Sequence, residues 1–520
     1  MFRRVPILCF LSFLLILLTG CDNSSTSGFP AIAHDRSTLE WGVVGTSDVP
    51  TLDPALASDA TSLSVVSLVY GGLVRFDNQL RVQPDGASSW TISRDGLRYT
   101  FHLRPGLRFA GGRPVTAGDF AAALDRALGP EGSAGAASFY LSAIAGQTGS
   151  GQPRGIQVVN RSTLRITLKR PTAHFVAELA FPVSFVPDAS IIARYGPGWT
   201  DHAQGFGPYR VLAWQHTRYL TLVRNPHYYG GTPAFKRITL RFDGQSAALA
   251  AYQAGKLDLI SGVDAGTSLS DPAAGIDRVP ALALDYLAFN TTRLPFFRLN
   301  ARRAFASVWT PSLAGPVMGS SAFPARRFLP SAFGMATQPW RASAAPRVYL
   351  RRSRFTPKSF PHVTLVLERD PRLGLLARQL RRLWKRDLGI VVTVQQLDAS
   401  RFTEILNHRA FDLALVRWGA DYPDPQDFLG TQLGSSPDNV SGWTRPMYEH
   451  DVFLADTYSP TDPRRADLFR AAATYAAAKV PIVPLDEPAV TAVFRPDVRG
   501  LAVTPLGTIT GDWRHARFVR

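Results

Sequence analysis

The sequence predicts an α/β protein built in two parts, and three observations carry that prediction. Several segments of the first part alternate apolar and polar residues with period two, as half-buried antiparallel strands do. The second part strings strand, helix and strand patterns together, which implies a parallel sheet with right-handed crossovers. The two join around "ALDYLAFNTTRLPFF" (283–297), and a chain of 520 residues is long enough for more than one hydrophobic core.

The elements follow in order. "MFRRVPILCFLSFLLILLTGC" combines Arg3 and Arg4 with an apolar run of 14 residues from Val5 to Leu18. That run is too short to span a bilayer and reads as an export signal over 1–20. The four residues ending at Cys21 resemble a lipobox, which implies that Cys21 is acylated and holds the protein at a membrane. Asp22 resembles the signal that retains such proteins at the inner membrane. Residues 21–38, "CDNSSTSGFPAIAHDRST", are polar and read as a tether, so the fold begins near Leu39. The other cysteine, Cys9, lies inside the signal, and no mature disulfide is possible.

Leu97, Tyr99, Phe101 and Leu103 share one side of a strand, as do Leu164, Ile166 and Leu168, and Ile238, Leu240 and Phe242. Between the first two, Thr116 and Asp119 form a capping box ahead of Phe120, Leu124 and Leu128 at helical spacing. Later, "HVTLVLERD" reads as a strand and "LGLLARQLRRLWKRDLG" as a helix with a basic outer face ending at Gly389. "IVVTVQQL", "RFTEILNHRA" and "FDLALVRW" continue the alternation, and "RRADLFRAAATYAAAK" is a helix before "VPIVPL". No internal repeat appears.

The formal charge of +17 falls by two to +15 once Arg3 and Arg4 are removed. The arginines are scattered rather than clustered, so the charge reads as a solvated surface with no nucleic-acid role. No G-x-S-x-G elbow, H-E-x-x-H pair or P-loop occurs. The ten histidines are dispersed, and His102 points away from the apolar face of its strand. No cofactor or metal is implied.

The chemistry concentrates in "LVRWGADYPDPQDFL" (415–429), where Asp421, Asp424 and Asp427 follow a central strand. Pro423 and Pro425 argue against a helix, and so against a shared carboxylate face. The spacing also fails a calcium loop, and a glycosidase pair needs two carboxylates held across a sugar. Ligand groups in α/β proteins sit at strand ends, and Asp421 emerges from one, flanked by Trp418 and Tyr422. A carboxylate there suits an ammonium; the structural alternative is that Asp421 caps a turn and Trp418 is core.

The sequence resembles family 5 of the bacterial extracellular solute-binding proteins, which serve ABC importers of peptides, oligopeptides and nickel. The resemblance is carried by "TLDPALASDATSLSVVSLVYGGLVRFD", by "DGLRYTFHLRPGLRFAGGRPVTAGDF" with Gly111, Pro114, Val115, Thr116, Asp119 and Phe120, and by "GFGPYRVLAWQHTRYLTLVRNPHYYGGTPAFKRITLRF". "AYQAGKLDLI", "YLAFNTTRLPFFRLNARRAFA", "RWGADYPDPQDFL" and "VPIVPL" follow in order. It implies a two-lobed periplasmic-binding-protein clamp of the cluster C, type II-like kind. Lobe one would span 39–283 with an extra subdomain at 78–205, lobe two 284–483, and 484–520 would return to lobe one.

By the same resemblance the protein is no enzyme. It is a monomer in the periplasm, attached to the inner membrane, that captures short peptides for ABC permease subunits with separate ATPase subunits. Asp421 takes the peptide α-amino group, with Trp418, Tyr422, Trp443 and Leu52 as further ligand contacts. A non-peptide solute such as an opine, a sugar or a nickel complex is the alternative, and an exported hydrolase using Asp421 and Asp424 or a structural envelope protein are others. Departures from the family pattern are Trp309, the Gly205-Phe206-Gly207-Pro208 segment and Tyr229.

Overall fold

The computed structural model describes residues 35–130, 132, 137–146, 155–264, 266–267, 275–339, 341–511 and 513–519. The export signal, Cys21 and most of the tether lie outside the described residues.

The main sheet has 12 strands. In lobe one, Thr38–Val43 lies between Arg237–Phe242 and Leu259–Ser261, parallel to both, and Tyr219–Arg224 and Tyr209–Gln215 extend the sheet antiparallel. Leu39, Trp41 and Val43 are fully buried, and the strand's central place explains its apolar character. In lobe two, Ala283–Phe289 pairs antiparallel with Leu413–Gly419. Val363–Glu368 then runs parallel to Leu413–Gly419 and to Val392–Leu397, as the strand, helix, strand order implies.

The extra subdomain carries a four-stranded antiparallel sheet ordered Ala87–Ile92, Arg98–Leu103, Thr163–Thr167, Ile156–Asn160. Tyr99, Phe101 and Leu103 bury one face with Leu164 and Ile166, and His102 is exposed on the other. Helix Ala117–Leu128 packs into this core through Phe120 and Leu124. At its start the Asp119 carboxylate accepts hydrogen bonds from the Thr116 backbone N–H and hydroxyl, each at 2.8 Å. Tyr229, one of the departures, donates its hydroxyl to the buried Asp85.

Helix Pro371–Leu388 presents Leu373, Leu376, Leu380, Leu383 and Trp384 to the lobe-two core while Arg378, Arg381, Arg382 and Lys385 face water. It ends where Gly389 adopts φ +72°, the left-handed conformation that glycine takes without strain.

Strand Ile482–Phe494 joins the lobes. Ile482 to Asp486 pair with Ala283–Phe289 in lobe two, whereas Ala489 to Phe494 pair with Gly275–Pro280 in lobe one. The boundary expected between 483 and 484 therefore falls inside one continuous strand. At the crossing Arg417, Asp285 and Asp486 stand in register across three strands, and both acids are 0% exposed. Arg417 grips Asp285 with Nε at 2.7 Å and Nη2 at 3.1 Å. Arg372, in the first turn of Pro371–Leu388, reaches Asp285 at 3.0 Å and Asp486 at 2.5 Å. Burial and the facing Asp285 push the Asp486 carboxyl up to about 7 against the pull of both arginines.

A carboxyl raised in the fold binds its proton more tightly there than in the unfolded chain, so its contribution to stability falls as pH rises through about 7. Arg372→Leu is expected to lose ~3 kcal/mol or more at pH 8, where two buried carboxylates lose a partner. The loss should be smaller at pH 5.5, where Asp486 holds its proton; urea midpoints at the two pH values check this.

Candidate functional site

The site grows from the end of strand Leu413–Gly419. The Ala420 N–H donates to the Leu282 carbonyl at 2.7 Å, which ties the strand end to the lobe crossing. The chain then folds back onto Asp427, whose Oδ2 accepts from the Asp421 backbone N–H at 3.1 Å and from Trp418 Nε1 at 3.2 Å.

The prolines do not exclude a helix here. A short one, Pro425–Leu429, starts at Pro425 because proline is tolerated in the first helical position, where no N–H bond is needed. Asp424 is its N-cap, accepting from Gln426 N–H at 2.9 Å, and its carboxylate also accepts from Arg465 at 2.8 Å. So the capping acid is Asp424, and its Oδ1 serves both the helix N-terminus and Arg465.

Asp421 remains. Its backbone carbonyl accepts from the Tyr140 hydroxyl of the extra subdomain at 2.7 Å, but among the described residues no cation pairs with its carboxylate. Burial, then the negative field of Asp438, push that carboxyl up to about 6. Asp427, 0% exposed, is pushed further, to about 8, by burial and by Asp421. Burial and the closeness of Asp421 to Asp427 disfavour two negative charges here, so the two carboxyls titrate as a pair.

Tyr422 goes the other way. It is buried in the core of the extra subdomain, stacked on His174 with ring centres 4.8 Å apart and planes 5° apart. His174 Nδ1 lies 2.9 Å from Asp456 on helix Pro446–Thr457 of lobe two, and Nε2 lies 3.6 Å from Glu178. Arg465 stands 3.8 Å from the same Asp456. The Asp421 loop is thus where the extra subdomain and lobe two meet. A cavity of about 440 Å³ lies at this junction, bordered by Phe139, His174, Glu178, Tyr422, Asp438 and Phe453.

Asp427 ties Trp418 to the Asp421 backbone, whereas Tyr422 turns into the subdomain core. Trp443 is 2% exposed, packed edge-on against Tyr448 in a lobe-two core, and Leu52 is 0% exposed in the lobe-one core beside Trp41 and Val65. Their apolar surfaces are taken up by those cores. Tyr140, His174, Glu178, Asp438 and Asp456 were missed by sequence reasoning. His174 and Glu178 stand at i, i+4, the spacing that places two side chains on one helix face, and this was the available signal. Among the described residues no group of three or more histidines, cysteines or acids is placed to hold a metal.

Burial pulls the His174 ring pKa down, but Glu178 and Asp456 outweigh it and raise it to about 9. Its folded value lies above the ordinary 6.5, so the stabilisation is complete below about 6.5 and is lost as pH rises through about 9. Proton NMR of the histidine rings should show one resonance titrating near 9 that moves down in Asp456→Asn; titration of every ring near 6.5 would contradict the assignment.

The family model of the bacterial extracellular solute-binding proteins, family 5, matches residues 81–440. A relative from Escherichia coli (strain K12), named as the probable deoxycholate-binding periplasmic protein YgiS, is 26% identical over 87% of this chain and 89% of its own length. The oligopeptide-binding protein OppA of Bacillus subtilis (strain 168) is 25% identical, covering 84% of this chain and 85% of its own. The murein peptide-binding protein MppA of Escherichia coli (strain K12) is 26% identical over 87% and 88%.

Among solved structures, the unliganded open form of MppA superposes with a TM-score of 0.83 at 24% identity, covering 94% of this chain and 98% of that one. DppA from Helicobacter pylori in complex with the peptide STSA gives 0.69 at 20% identity, covering 93% and 98%. These likenesses establish the two-lobed fold. With the family match covering more than half of its length, the chain belongs to the bacterial extracellular solute-binding proteins of family 5.

Proposed function

We propose that the protein captures short peptides between its lobes and delivers them to an ABC import permease, with Asp421 pairing the peptide α-ammonium. The observation that carries this reading is the Asp421 carboxylate. It is half-buried at the end of a central strand and held by its backbone between Asp427 and Tyr140, and among the described residues no cation pairs with it. A site so arranged is complete only when a cation enters.

The named activities of OppA and MppA and the peptide bound by the Helicobacter pylori neighbour support the same ligand class. A bile acid such as deoxycholate, the ligand in the name of YgiS, is an anion that this carboxylate would repel.

Trp418 and Tyr422 set the loop's shape beside the ligand, and Leu52 and Trp443 support the walls from within their cores. No covalent step is involved. Anchoring through an acylated Cys21 would keep the receptor in the periplasm beside its permease, as a monomer. Among the described residues no helix is long and apolar enough to cross a membrane.

Calorimetry tests the reading. Trialanine should bind the wild type, and Asp421→Asn should weaken it by about ten- to hundredfold, the ~1.5–3 kcal/mol of a hydrogen bond to a charged group. N-acetyl-trialanine should bind weakly and equally to both. Because the free carboxyl titrates at about 6 and must be ionised to take an ammonium, wild-type affinity should fall up to about tenfold per pH unit below that value. Equal affinity of the wild type and Asp421→Asn for trialanine across pH 5 to 8 would overturn the assignment.

A further inference from the structure

The cavity beside the Asp421 loop has a chemistry that the α-amino contact leaves unused. Tyr422, next in the chain to Asp421, forms part of its wall, and Asp438 at its edge is the charged group that acts on the Asp421 carboxyl. The wall carries four carboxyl groups, Glu178, Asp438, Glu449 and Asp456, against two cations, Arg170 and His174.

Those charges do not cancel. His174 is shared between Asp456 at 2.9 Å and Glu178 at 3.6 Å, and Arg465 also approaches Asp456. Glu449 accepts from the Thr444 hydroxyl at 2.5 Å, and among the described residues no cation pairs with Asp438 or Glu449. Glu178 is the decisive group. It is 4% exposed; one carboxylate oxygen has the 3.6 Å contact with His174, and the other is fully buried with no hydrogen-bond partner among the described residues. An unpartnered buried carboxylate oxygen is costly, and a donor that reached it would recover that cost.

The apolar part of the wall points to the same kind of guest. Phe139, from the extra subdomain, is 42% exposed and Phe453, from lobe two, is 64% exposed, and both line the cavity. Phenyl faces beside carboxylates suit a flat, weakly hydrated cation on an aliphatic stem, which stacks and donates at once.

We propose that this cavity is a side-chain subsite for a cationic first residue, so that the protein prefers peptides beginning with arginine or, less strongly, lysine. The inference rests on the peptide reading, because the α-ammonium at Asp421 is what places the first side chain beside Tyr422. Arginine outranks lysine because its planar fork offers two donors to the Glu178 and Asp438 carboxylates while its face lies on a ring.

The test is calorimetry with Arg-Ala-Ala, Lys-Ala-Ala, Ala-Ala-Ala, Glu-Ala-Ala and Ala-Ala-Arg on the wild type, Asp438→Asn and Glu178→Gln. Arg-Ala-Ala should bind about tenfold or more tighter than Ala-Ala-Ala, as one added charge-assisted contact gives. Glu-Ala-Ala should bind more weakly than Ala-Ala-Ala, and Ala-Ala-Arg about as well. The ratio of Arg-Ala-Ala to Ala-Ala-Ala affinity should shrink several-fold in each variant. Asp438 is exposed, so its variant remains informative if Glu178→Gln fails to fold.

Equal binding of Arg-Ala-Ala and Glu-Ala-Ala, or an arginine preference untouched by Asp438→Asn, overturns the subsite and leaves the peptide reading standing. Failure of every peptide to bind overturns the peptide reading instead. The cavity is then judged with argininamide alone: a thermal shift in the wild type that Asp438→Asn removes sustains a cation site, and no shift overturns it.

Discussion

Two carboxylates that face each other out of water set the terms for this fold. Asp285 and Asp486 are in register at the strand crossing between the lobes, and like charges directly opposite on neighbouring strands repel. The row is tolerable only because Arg417 stands in the next strand and Arg372 arrives from the start of a helix, each bonded to Asp285. Asp370, which caps that helix, also takes a bond from Arg417 at 3.2 Å. One ionic cluster thus ties together three strands and a helix terminus where Ile482–Phe494 changes partners.

That tie has consequences further along the same strands. Arg417 is four residues before Asp421, and the Ala420 N–H bonds back to Leu282 beside the crossing. The residues that hold the lobes in register therefore also fix where the acidic loop leaves the sheet. The loop's own folding uses a second buried acid, Asp427, as acceptor for Trp418 and for the Asp421 backbone. Charged partners fall on Asp424, Asp285 and Asp456, and among the described residues no cation pairs with the Asp421 carboxylate. Among the described residues, carboxyl oxygens of Glu178, Asp427 and Asp486 are buried without a hydrogen-bond partner, so the burial of acids is only partly compensated in this fold.

The junction of extra subdomain and lobe two adds a mechanical side. Tyr422 is carried on lobe two, yet its ring packs in the subdomain core against His174, and Tyr140 from the subdomain bonds to the Asp421 carbonyl. Any relative movement of the two bodies must therefore involve the loop that bears Asp421.

Much of this was legible before any coordinates. Period-two alternation marked the strands around Phe101, Leu164 and Leu240, the Thr116 and Asp119 pair marked a helix start, and the strand ending at Trp418 marked Asp421 as an exit residue. These are local features, set by backbone geometry and by which side chains avoid water. Other features escaped for physical reasons. Pro425 read as a breaker because position within the first turn, not residue type, decides whether proline is tolerated. The burial of Leu52 and Trp443, 0% and 2% exposed, depends on which other segments cover them, and chain order does not show that. His174, Glu178 and Asp456 are separated by up to 282 residues, and only folding sets them against one another. The sequence by itself determined the two-part α/β plan and singled out Asp421, because periodicity and chain order are local. Tertiary structure alone decided which acids are neutralised and which are left open, because pairing and desolvation depend on neighbours that the chain order does not name.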